Sequence, residues 1–133
     1  MTVADLRVDA VIVACAVSAG IHGALVPEHF ADGPGPGVGF VAATVLLAAA
    51  AVGLTYRPSR TALRATALLF AELIVAYAAA ATVGVPLLHP EPEPVDGLAL
   101  VTKAVEAMGL VFSAGLAVPR PAAAVFRPKG TLT

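Results

Sequence analysis

The chain has 133 residues, room for one domain, and 59% of them are apolar while only 13% are charged, about half the charged fraction usual for soluble domains. With a mean hydropathy of +0.89, that much apolar surface cannot be hidden from water in a fold of this size, so the expected solvent is lipid. A net charge of -1 with no basic patch interleaved with aromatics excludes nucleic-acid binding, and a lone Cys15 excludes an internal disulfide or a Cys-x-x-Cys motif.

The first apolar run covers residues 10–26, at the short end of what crosses a hydrocarbon core. Val17-Ser18-Ala19 has the small residues of a cleavage site, and Ile12-Val13-Ala14-Cys15 resembles an acylation box. Both require a basic leader, whereas Asp5 and Asp9 flank the one basic residue, Arg7, so a retained helix is expected. Residues 27–39 carry Glu28, Asp32, three prolines and four glycines, and are expected to interrupt the helix. Pro27 suits the first turn of a short interfacial helix, Pro-Glu-His-Phe, that folds His29 back toward the bundle.

The second run, 38–56, is free of charge, and Arg57, Arg60 and Arg64 follow it around a Pro58-Ser59 hairpin. The third, 65–85, is interrupted by Glu72. Residues 87–97 hold His89 and the rigid, acidic Pro-Glu-Pro-Glu-Pro stretch. The fourth run, 98–118, contains Lys103 and Glu106. The reading is therefore all-α: a four-transmembrane-helix bundle over residues 1–119, followed by a cytoplasmic tail, 120–133.

Seven of the eight basic residues (7, 57, 60, 64, 120, 127, 129) lie before the first run, between the second and third, or after the fourth. By the positive-inside rule both termini are cytoplasmic, the two acidic Pro-rich connections face outward, and the protein is a multi-pass component of the cell membrane whose first partner is the bilayer.

Within lipid, polar positions should face one another. Cys15, Ser18 and His22 share a face of the first helix, and Thr102, Glu106, Gly109 and Ser113 share one on the fourth with Lys103 beside it. Thr44, Ala48, Ala51 and Thr55 form the stripe expected on the second, and Glu72 with Ala76, Ala79 and Ala80 that on the third. At about 1.5 Å of rise per residue, His22, Lys103 and Glu106 fall in the outer half and Glu72 near the middle.

Three readings of these groups stay open. Lys103 neutralises Glu106 or Glu72 in a polar clasp that sets helix register. Alternatively, His22, Glu28, His29 and His89, with Glu106, hold a transition metal ion such as zinc, copper or iron, or the same site takes a small ligand; chelation by His22 and His29 requires Pro27 to break the helix. In the third, His22, Glu72, Lys103 and Glu106 form a proton relay, in a homo-oligomer or as an accessory subunit of a larger membrane complex. No motif of soluble-type catalysis is present, so no catalytic residue is assigned.

The segments Ser18-Ala19-Gly20-Ile21-His22, Leu25-Val26-Pro27-Glu28-His29 and Pro92-Glu93-Pro94-Val95-Asp96, with Lys103 and Glu106, resemble a group of small four-helix membrane proteins from actinobacteria. The resemblance runs from the first helix to the fourth. It implies architecture and origin, and no activity.

Overall fold

A computed structural model describes residues 2–84 and 91–118. Among these residues are four helices: α1, Val3–Asp32; α2, Pro34–Tyr56; α3, Arg60–Thr82; and α4, Gly97–Ala117. Each is long and apolar enough to cross a membrane. Neighbours in the bundle run α2, α1, α4, α3, with α2 and α3 touching least and the diagonal pairs not meeting. One end of the bundle carries Arg7, Arg57, Arg60 and Arg64; the other carries Glu28, Asp32, Glu93 and Asp96.

The helix starts are set locally. Thr2 and Asp5 exchange side-chain hydrogen bonds with each other's backbone N–H in a capping box, while Ser59 accepts from the Ala62 N–H and Asp96 from the Ala99 N–H. Where residues 27–39 were expected to form a loop, the helices almost meet. α1 continues through Pro27 to Asp32, α2 begins at Pro34, and the whole connection is Gly33 at φ 151°.

The physical reason is position. Pro34 and Pro36 fall in the first turn of α2, where a missing N–H costs nothing, so they start a helix instead of preventing one. Pro27 is absorbed inside α1, as interior prolines are where neighbouring helices hold the backbone. Gly37 lets Phe30 pack directly on the start of α2, where any Cβ would collide with that ring.

The core is thin: Val11, Ala14, Cys15, Leu47, Leu54, Leu63 and Phe70 are buried, while Val45, Leu46, Leu68, Val75, Val101 and Val111 point outward. With an exterior as apolar as the interior, close fit rather than apolar burial must hold the helices together. Phe70 of α3 illustrates this, because its ring lies against Gly109 of α4 so closely that a Cβ there would overlap it and come within 3.1 Å of Ala14 on α1. On α2 the buried stripe is Gly37, Ala43, Leu47, Ala51 and Leu54. Of the expected stripe only Ala51 is buried; Thr44 is half-buried, and Ala48 and Thr55 face out. The third helix ends at Thr82, short of the expected residue 85.

Candidate functional site

Ser18 and His22 occupy one face of α1 because four residues make about one helical turn, and both are buried there. On α4, Thr102, Glu106, Gly109 and Ser113 form the buried stripe. The helix pair brings the two stripes together, and the result is a polar cluster centred on Glu106, whose exposure is 0%.

The Ser18 hydroxyl donates to Glu106 Oε1 at 2.8 Å. The Lys103 ammonium donates to Glu106 Oε2 from one turn earlier on the same helix. His22 Nδ1 lies 2.9 Å from the Ser18 carbonyl oxygen, which accepts and so assigns the proton to that nitrogen. Its Nε2 is left 3.9 Å from Glu106 Oε1. Lys103 also reaches the Leu73 carbonyl oxygen at 3.4 Å and lies 5.4 Å from the centre of the Tyr77 ring. One carboxylate and one ammonium thereby tie α1, α3 and α4 together. The remaining core hydroxyls, Thr66, Thr102 and Ser113, return their protons to carbonyls of their own helices and do not join the cluster.

Above this cluster, toward the acidic end, a cavity of about 530 Å³ opens between the helices. His22 and Lys103 lie at its base; Leu25, Phe40, Leu73 and Tyr77 wall it; Glu28, Asp32, Glu93 and Asp96 line its mouth. The segment carrying Glu93 is tied down by a hydrogen bond from its N–H to the Ala80 carbonyl at the end of α3, 3.0 Å long. Phe40 stands between the two histidines of α1: its ring is stacked on His29 with centroids 3.5 Å apart and tilted to His22 at 5.1 Å. Tyr77 contributes a buried hydroxyl with no hydrogen-bond partner among the described residues.

Of the residues singled out in the sequence, His22, Lys103 and Glu106 do meet. Glu72 does not join them. It is exposed on the opposite side of α3, in a shallow groove against α2 lined by Leu46, Ala50, Gly53 and Leu69. The buried face of α3 is set by Leu63, Thr66, Ala67 and Phe70, and two residues beyond Phe70 is about 200° around the helix. Of the expected metal set, the described members His22, Glu28 and His29 are not brought together around one ion. Because α1 does not break at Pro27, His22 and His29 remain seven residues, about 10 Å, apart along it, and His29 Nδ1 bonds the Leu25 carbonyl at 3.0 Å. Glu28 lines the mouth of the cavity, and His89 lies outside the described residues. Among the described residues no three His, Cys, Asp or Glu side chains are placed to hold one ion.

The sequence carried a signal for Ser18, four residues before His22, but none for Phe40 and Tyr77, which read as ordinary apolar positions. Their role depends on which helices adjoin. No protein-family model, curated protein or solved structure matches the chain.

Proposed function

We propose that the chain is a multi-pass protein of the cell membrane, with both termini cytoplasmic, whose cavity at the acidic end binds a small organic molecule arriving from the outer face. The membrane placement is supported by four helices of sufficient length and hydropathy. The orientation is supported by the collection of Arg7, Arg57, Arg60 and Arg64 at one end and of carboxylates at the other.

The ligand reading is carried by one observation. The cavity of about 530 Å³ is mostly carbon-walled and meets convergent polar groups, Lys103 and His22, at its inner part, which is the usual make-up of a small-molecule site. A proton relay is less well supported, because Glu72 lies off the path that His22, Lys103 and Glu106 would form.

The test is thermal unfolding of the purified protein in detergent against a panel of small organic cations, anions and neutral molecules. At least one class should raise the midpoint, and the rise should vanish in Ala80→Trp, which fills the cavity from α3. A panel without effect contradicts the reading. Orientation is tested separately with a membrane-impermeant maleimide. Asp32→Cys should react in intact cells and Ser59→Cys only after permeabilisation, while buried Cys15 stays silent in both.

A further inference from the structure

We infer that the cavity selects amphipathic organic cations, molecules that carry a delocalised positive charge on an apolar body. This rests on the ligand-site reading above and adds the sign and shape of the ligand.

The sign comes from what lines the cavity. Four carboxylates, Glu28, Asp32, Glu93 and Asp96, stand around the mouth, and the one lysine, Lys103, is matched by Glu106 directly behind it. Glu28 and Asp32 are one turn apart on α1 and both face the opening. A cleft with low-dielectric walls concentrates such a field, so cations are drawn in and anions turned away. Because Lys103 sits at the base, the positive charge of a ligand is best placed level with the mouth, with its apolar part below.

The shape comes from the walls and from the spacing of the acids. Leu25, Leu73, Ala76 and Ala80 present carbon, and Phe40 and Tyr77 present aromatic rings, surfaces that take an apolar body and favour a nearby cation. A bare metal ion would need several ligand atoms converging at coordination distance. The acids instead surround the opening, and no three of the metal-binding side chains described come together. A large diffuse cation needs only their proximity.

The experiment uses the full chain in detergent with three probes of similar shape: tetraphenylphosphonium, tetraphenylborate and neutral triphenylphosphine oxide. Binding is measured by equilibrium dialysis. The phosphonium should saturate at one per chain, bind at least tenfold more weakly in Glu28→Gln/Asp32→Asn, weaken with added salt, and fail to bind Ala80→Trp. Glu28 and Asp32 are exposed, so the double variant should retain its helical circular dichroism and elution volume.

Borate or oxide binding as tightly as the phosphonium, or phosphonium binding unchanged in the double variant, overturns the cation inference. If a neutral or anionic member of the wider panel saturates a site lost in Ala80→Trp while the phosphonium does not bind, the ligand site stands and its proposed selectivity falls. No saturable binding by any probe or panel member removes both.

Discussion

Glu106 and Glu72 are the same residue near the middle of two helices, yet their surroundings are opposites. Glu106 is at 0% exposure and accepts from Ser18 and Lys103, with His22 nearby. Glu72 points out of the bundle into a groove of alanine, leucine and glycine. An unpaired charge at a helix centre in lipid costs at least about 2.5 kcal/mol. The clasp around Glu106 offsets that cost with partners, whereas Glu72 has no hydrogen bond or ion pair among the described residues. A carboxylate inside an apolar helix is thus structural or not according to the face it occupies, with the same chemistry.

The sharpest way to break this contrast is to remove the counter-charge. Lys103→Ala leaves Glu106 buried and uncompensated and should cost about 3–5 kcal/mol in unfolding measured in detergent. Lys103→Met/Glu106→Leu, which removes both charges, should recover most of that loss. A double variant no better than Lys103→Ala would mean that the pair does more than cancel charge.

Ser18→Ala deletes the hydroxyl that donates to Glu106 and should cost about 1.5–3 kcal/mol, the range for hydrogen bonds to charged groups. Gly109→Ala, one turn below Glu106, forces the Phe70 ring to move and should cost about 1–3 kcal/mol by overpacking. If Gly109→Ala proves harmless, α3 and α4 are not held by the close fit seen at Phe70.

At the other end of the scale, Glu72→Leu should leave stability unchanged or raise it, by up to roughly 2.5 kcal/mol. It should also leave ligand binding at the cavity untouched. A large loss of stability in that variant would show that Glu72 has a partner outside the described residues, and a loss of binding would return it to the site.

The number of helices, their approximate spans and the acid and base asymmetry of the two ends were legible in residue order, because each depends only on local hydropathy and charge. The fourth run, expected at 98–118, lies at Gly97–Ala117. The pairing of Lys103 with Glu106 was within reach too, since three residues on a helix place side chains together.

Other features required the packed structure. Pro27 and the Gly-Pro run read as a loop because proline's average effect is to break helices, but Pro34 and Pro36 sit where their effect is favourable and Pro27 sits where its neighbours hold the backbone. Glu72 was assigned to the bundle interior on the expectation that intramembrane polar groups face one another, at a depth read from its place in the run. Depth follows from counting along one chain, while the face that turns inward is chosen by the fit of Phe70 against Gly109 between two helices. The cavity is of the same kind: Phe40, Tyr77 and Glu93 come from distant parts of the sequence. Only the ring of helix contacts, decided by close packing of side chains, makes them neighbours.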